Sequence, residues 1–314
     1  MASKLATPRA MNLPRLISEY GDEHKCRTYL ESIRWPDGVK CPRDGKNATW
    51  LGTVEVWECN SCHYQFTVRV GSVLQDSKLP LAKWLIAVFL IVESKKGMSA
   101  NQLRRTLGTT YKTAWYLTHR IRTAMAQSIA NMPLDGTVEV DSTFVGGKPR
   151  YPAPLNAFGQ RQRGPRRRPT TVPIAGAVTR GGRIRMRVQR DGMTMREFIA
   201  RAIADRAVNI YTDSWSGYEK LGDGDTRHQS VDHHAKEWVR GDVHTNTIES
   251  AWSLLKRSII GSYHHLSVKH LDSYLDEMEW RFNNRHNNYR FRDTLRALFR
   301  SDVLTYKGLT DRLA

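Results

Sequence analysis

The sequence predicts a multidomain α/β protein, and three observations lead there. All four cysteines fall within the first 62 residues; residues 80–125 carry the helical period; and from Gly136 the order is strand, two hairpin strands, helix, strand, helix. The first implies a small zinc-ribbon-like module over 20–72 and the second a helix-turn-helix unit over 78–130. The third implies a mixed-sheet core with C-terminal helices over 135–290, interrupted by a basic insertion at 148–170 and followed by a helical tail at 291–314.

The module at 20–72 also holds Trp35, Trp50 and Trp57. Cys59-Asn-Ser-Cys62 has knuckle spacing, which lets two thiolates reach one zinc ion. Its counterpart is Cys41-Pro-Arg-Asp44, where a carboxylate stands in place of the second thiolate. The set Cys41, Asp44, Cys59 and Cys62 forms a three-sulfur, one-oxygen site; Cys26 is a rival fourth ligand, His24 and His63 are further candidates, and a metal-free β-module is the plain alternative. Val54–Trp57 and Tyr64–Val70 have the composition of hairpin strands.

In the second unit, Pro80–Val92 is apolar enough to be a buried helix ending before Gly97. Ser99 is an N-cap for Ala100–Leu107, and after Gly108 either Thr109 or Thr110 caps a helix over Tyr111–Met125. Helix, short Gly-containing turn and helix is the layout of a DNA reader. Its reader positions are Thr110, Tyr111, Lys112 and Thr113, with Arg104, Arg105, His119, Arg120 and Arg122 available to phosphates. An ordinary three-helix packing unit with solvated basic faces fits the same residues; the charge balance favours DNA.

In the core, Gly136–Gly147 forms a strand that delivers Asp141 and breaks at paired glycines. Lys148–Thr170 carries Lys148, Arg150, Arg161, Arg163, Arg166, Arg167 and Arg168 with no acid, as an exposed basic loop able to follow a phosphate backbone. Thr171–Val178 and Gly182–Val188 pattern as a hairpin, Thr194–Ala207 as a helix, and Val208–Tyr211 as a strand delivering Asp213. A helix opening near Asn246 carries Glu249, with Lys256 two turns on along the same face and Arg257 beside it. Asn246 as N-cap with Glu249 closing a capping box explains that pair without chemistry. Glu139 shares the strand face of Asp141 and takes a supporting role. Further helices are expected over Ser267–Asn287 and Thr294–Arg300.

Three carboxylates at the ends of regular elements are hard oxygen donors suited to Mg²⁺. The formal charge, 49 basic against 31 acidic residues, is +18, and the sequence pI is near 10.0, which points to a polyanionic partner. The longest apolar run, Trp84–Val92, is too short to span a bilayer, and no dinucleotide glycine pattern or P-loop is present. The start of the chain lacks a signal-type apolar region, so a cytoplasmic, nucleoid-associated protein is expected.

Six stretches in order resemble bacterial insertion-sequence transposases with a zinc ribbon and an acidic-triad (DDE) catalytic domain. They are Arg34–Gly38 with Cys41-Pro42, Leu81–Gly97, Tyr111–Trp115, Val140–Gly147, Tyr211–Tyr218 and His244–Lys256. The resemblance implies an RNase H-like core, Mg²⁺ or Mn²⁺ dependence, terminal inverted repeats and target DNA as double-stranded substrates, and a dimer or larger assembly on DNA. It implies Asp141, Asp213 and Glu249 as the triad, Lys256 as its DNA-contacting companion and Asn246 as the alternative third residue. A nuclease that cuts without joining, or a catalytically silent DNA-binding regulator, would share most of these features.

Overall fold

The computed structural model describes residues 11–130, 132–146, 171–189, 193–213, 227–232, 235–264 and 266–311, with the side chains of 205–208 left undescribed. The chain divides into two compact units. Met1–Asn131 and Asp276–Ala314 form the first, Met132–Leu275 the second.

The first unit begins with two helices ahead of the ribbon. Helix α1 (Leu13–Tyr20) is capped by Asn12, whose side chain accepts from the Arg15 amide at 2.9 Å, and α2 (Glu23–Arg34) is capped by Asp22. Their apolar period was legible: Leu16, Cys26 and Leu30 are buried, all in one core. The ribbon follows as an antiparallel sheet of β1 (Ala48–Leu51), β2 (Val56–Cys59) and β3 (Gln65–Phe66). Helix α3 (Leu81–Glu93) has Pro80 at its N-cap and no cap of its own; Glu23 of α2 supplies one, accepting from the Leu81 amide at 2.9 Å.

Helix α4 (Ala100–Leu107) ends at Gly108, whose φ of 60° is the left-handed geometry that favours glycine, and α5 (Tyr111–Ile129) starts from a Thr110 cap. The cap is therefore Thr110 rather than Thr109. Leu103, Leu107, Leu117 and Ile121 pack with Trp84, Leu85 and Val88 of α3. The helix expected over Ser267–Asn287 is a 3₁₀ turn (Val268–His270) followed by α8 (Leu271–Asn283). Its later part belongs to this first unit, and so does the tail. Helix α9 (Arg290–Arg300) inserts Phe291, Leu295 and Leu298 into the same core, and α10 (Tyr306–Asp311) follows.

Three basic residues expected on the reader's surface are buried. His119, Arg120 and Arg122 are 1%, 4% and 2% exposed, because their positions on α5 face the helices packed against it. Arg122 Nε donates to Glu277 Oε2 at 2.6 Å, and Arg281 pairs with the same carboxylate. Burial alone would raise the Glu277 carboxyl, but the two guanidiniums outweigh it and hold that group below its ordinary value. Arg122, Glu277 and Arg281 thus form a packing network, not a phosphate-binding surface.

The second unit is a five-stranded mixed sheet in the order β6-β5-β4-β7-β8. Strands β4 (Leu134–Val145), β5 (Val172–Thr179) and β6 (Ile184–Val188) are antiparallel; β7 (Ile203–Asp213) and β8 (Arg227–Val231) continue parallel to β4. This is an RNase H-like core. Strand alternation divides its faces. Val138, Val140, Ala175 and Ala177 turn to α6 (Met195–Ala202), whose Met195, Phe198 and Ile199 complete that core. Glu139, Asp141 and Gly176 turn to the other face, under α7 (Asn246–Ser258).

Two features depart from sequence expectation. Segment 203–207 is strand, not the end of a helix: α6 stops at Ala202 because pairing with β4 takes over from Ile203. Strand β4 starts at Leu134, ahead of the expected Gly136, and ends at Val145, at the paired glycines as expected. Arg185 of β6 is 7% exposed and donates to the Met132 carbonyl at 3.1 Å.

Candidate active site

Strand register sets the first two acids. Glu139 lies opposite Tyr211 in the parallel pair, so two residues further on Asp141 faces Asp213 on the same side of the sheet. Glu249 comes from the first turn of α7, which crosses that side.

A residue given only a supporting role orients the helix. Glu139 is fully buried, and its carboxylate accepts from the Thr247 amide at 2.8 Å, the Ile248 amide at 3.1 Å and the Thr247 hydroxyl at 2.9 Å. It therefore caps α7 from across the sheet, where a negative charge also suits the helix dipole. Arg180 donates to it at 2.9 Å, and His244 Nδ1 lies 3.3 Å away. Asn246 does not cap the helix. It is the first helical residue, the N-cap is Thr245, and the expected capping box is absent; instead the Thr245 hydroxyl donates to Glu249 at 2.9 Å.

Asp141 is held at both oxygens. One accepts from the Ser142 amide at 2.7 Å, the other from the Trp252 indole N–H at 2.9 Å. Trp252 reaches it only because position 176, directly opposite Asp141 in β5, is glycine. A Cβ there would lie 2.3 Å from the indole ring. Burial first, then the charges of Asp213 and Glu249, push the Asp141 carboxyl up to about 6, against the lowering effect of its two hydrogen bonds. Asp213 and Glu249 thus act electrostatically on Asp141. The ligand atoms of the three acids are not drawn into a tight cluster: among the described residues, the only acidic, histidine or cysteine group with all ligand atoms within 4.8 Å is the knuckle. Ionised carboxylates repel, and Trp252 and Thr245 tether two of them apart.

Lys256 and Arg257 are exposed on α7, as Arg104 and Arg105 are on α4 and Thr110, Tyr111, Lys112 and Thr113 at the start of α5. Lys148, Arg150, Arg161, Arg163, Arg166, Arg167 and Arg168 lie outside the described residues. The histidines at 233 and 234 do as well. Trp252 and Gly176 are the site residues that sequence reasoning missed. Trp252 stood within a motif but reads as ordinary helix packing, and nothing in a lone glycine marks its partner.

The ribbon gathers Cys41, Asp44, Cys59 and Cys62. Cys41 and Cys62 sulfurs are 3.8 Å apart, and both Asp44 oxygens lie 3.4 Å from the Cys59 sulfur. A tetrahedron with Zn–S bonds of about 2.3 Å has S···S edges of about 3.8 Å. The residues therefore fit a structural zinc ion. Amides of Arg43 and Ser61 point at the Cys41 and Cys59 sulfurs, both at 3.4 Å, and the Lys46 amide does the same for Asp44 at 3.0 Å. That last bond leads in holding the Asp44 carboxyl below its ordinary value, which keeps it ionised as a ligand must be. Cys26 is excluded as the fourth ligand: it is buried in the helical core and donates to the Tyr20 carbonyl.

Residues 133–283 match the ISXO2-like transposase domain and residues 21–65 the transposase zinc-ribbon domain. A protein in transposable element ISH50 of Halobacterium salinarum is 28% identical over 254 residues, covering 77% of this chain and 84% of the relative. Among solved structures, the pre-cleavage Mos1 transpososome aligns over 66% of this chain and 76% of that one, at 12% identity and a TM-score of 0.24. The Mos1 strand transfer complex aligns over 69% and 75%, at 8% identity and a TM-score of 0.26.

Proposed function

We propose that this chain, which matches an ISXO2-like transposase domain and a transposase zinc ribbon, works as an insertion-sequence transposase: it binds the terminal inverted repeats of its element, hydrolyses a phosphodiester at each end, and joins the freed 3′-hydroxyl to target DNA. The observation that carries this reading is the gathering of Asp141, Asp213 and Glu249 on one face of the sheet, close enough that two of them raise the third.

The donor set is all carboxylate oxygen, which suits Mg²⁺ or Mn²⁺. When bound, such an ion activates the attacking water or 3′-hydroxyl and steadies the leaving oxygen. Asp141, fixed by Trp252 and Ser142, and Asp213, fixed by register, would hold the ion from the sheet, and Glu249 would complete the set from α7. Asn246, one turn before Glu249, is the alternative third residue. Lys256, two turns beyond Glu249, contacts the backbone phosphate. Thr110–Thr113, Arg104, Arg105 and the basic segment 148–170 bring DNA to the site, and joining two ends calls for a dimer or larger assembly.

The test is cleavage and strand transfer on a labelled duplex ending in the element's own terminal repeat, with Mg²⁺ or Mn²⁺. Asp141→Ala, Asp213→Ala and Glu249→Ala should each abolish both steps while leaving DNA binding intact. Retained cleavage in Glu249→Ala with loss in Asn246→Ala would move the third role to Asn246. Cleavage without joining by the wild type would make the protein a nuclease, and binding without cleavage a regulator.

A further inference from the structure

Within the first unit a cleft of about 630 Å³ opens beside the start of α5, between the segment 76–80, the 109–113 turn and Tyr306 of α10. Its lining carries Lys78, Lys112 and Arg120 against the single acid Asp76. Lys78 and Lys112 are exposed, and Lys112 is held over the Tyr306 ring, its Nζ 4.3 Å from the centroid. Arg120 is different in kind: 4% exposed, with its guanidinium 4.8 Å from the Tyr116 ring centre. One of its nitrogens donates to the Gln75 carbonyl, but Nε has no hydrogen-bond partner. The hydroxyl of Thr109, also on the lining, is buried and likewise unpartnered.

A buried cation is normally paired, and unpaired buried donors are costly. Arg122, two residues on, follows that rule with Glu277. Arg120 forms no ion pair with a carboxylate among the described residues. Its surroundings supply what an anion needs instead: two further cations, a free hydroxyl, and the positive end of a 19-residue helix whose Tyr111 and Lys112 amides have no intrahelical acceptor.

We propose that this cleft is a phosphate-binding site in which Lys78, Lys112 and Arg120 hold one phosphate group. Resting on the DNA-binding reading above, that phosphate belongs to the backbone of the duplex read by α5. Arg120 thus serves DNA from the floor of a cleft, not from an open surface. Lys78, which precedes all three helices of that unit, becomes a DNA contact that no sequence motif singles out.

The experiment uses the full-length protein and two probes. In the first arm, binding of a duplex carrying the terminal repeat is followed by fluorescence anisotropy over a salt series, for wild type, Lys78→Ala, and Arg104→Ala as a contact outside the cleft. Each phosphate contact contributes about 0.9 to the slope of log Kobs against log salt. Lys78→Ala should therefore flatten the slope by about 0.9, with the circular dichroism spectrum unchanged. Arg120→Lys, which keeps the charge but loses the planar donor set, should weaken binding several-fold; because Arg120 is buried, Lys78→Ala is the deciding variant. In the second arm, inorganic phosphate is titrated and the melting temperature read.

If the wild type binds duplex and Lys78→Ala leaves slope and affinity unchanged, the proposal is overturned while the DNA reading stands. If the wild type fails to bind duplex but inorganic phosphate raises its melting temperature, and not that of Lys78→Ala, the phosphate site is supported and its DNA source is refuted. If neither probe responds, both fall.

Discussion

Replacing Asp141 by asparagine isolates the electrostatic load that the carboxylate cluster places on the fold. The Asp141 carboxyl is pushed up from 3.8 to about 6, so its ionisation opposes folding by roughly 3 kcal/mol at 1.36 kcal/mol per unit. Because the folded value lies above the unfolded one, the favourable contribution is fully present below pH 3.8 and is lost as pH rises through about 6. The Asp141→Asn substitution removes that loss. It also turns one acceptor into an amide NH₂ facing either the Trp252 or the Ser142 donor, at a cost of about 1–1.5 kcal/mol. The variant should therefore be about 1.5–2 kcal/mol more stable than wild type near pH 7.5, and that advantage should shrink by about 1.4 kcal/mol near pH 5. Urea denaturation in Mg²⁺-free buffer at both pH values measures the difference, and titrating groups remote from the carboxylate cluster cancel between the two proteins. An identical difference at the two pH values would refute the reasoning. Adding Mg²⁺ or Mn²⁺ near pH 7.5 should stabilise the wild type and leave the variant unchanged.

Three further outcomes follow from the same contacts. Gly176→Ala drives a methyl into the Trp252 ring and should cost about 1–3 kcal/mol as overpacking, read by denaturation; pairing it with Trp252→Leu should recover part of that loss, and no recovery would mean the clash is elsewhere. Glu139→Ala strips the cap from α7 and leaves Arg180 without its carboxylate; a loss of about 3 kcal/mol is expected, with hydrogen exchange accelerated first at Thr247 and Ile248. Asp44→Ala should lose zinc by native mass spectrometry while Asp44→Cys keeps it, and retention by the alanine variant would remove Asp44 from the ligand set.

The geometry couples the parts of the candidate site more closely than a set of three acids suggests. Glu139 and Asp141 are two residues apart on one strand, and both grip α7: one through the amides of its first turn, the other through Trp252. The helix that carries Glu249 is thereby fixed to the strand that carries Asp141. A shift of α7 changes both acids together, so variants at Glu139, Gly176 or Trp252 can disturb chemistry without touching DNA.

The sequence by itself determined what depends on local pattern. Knuckle spacing marked Cys59 and Cys62, the Ser99 cap and a cap at Thr109 or Thr110 set the helix starts, and alternation with paired glycines marked the hairpin at 171–188. The strands that carry Asp141 and Asp213 were legible because β-branched residues announce strands, although β4 runs on past Asp141 to Val145. Only the tertiary structure decided matters that join residues distant in the chain. Asn246 and Glu249 match the capping-box pattern locally, yet a buried carboxylate 108 residues earlier takes over the capping role. Arg120 and Arg122 read alike on a helix, but packing gave one a cleft and the other a buried glutamate. Gly176 has no meaning until a tryptophan from another element lies over it. Local sequence sets backbone preference within a few residues; which donor meets which acceptor is set by register and packing, which no short window of sequence contains.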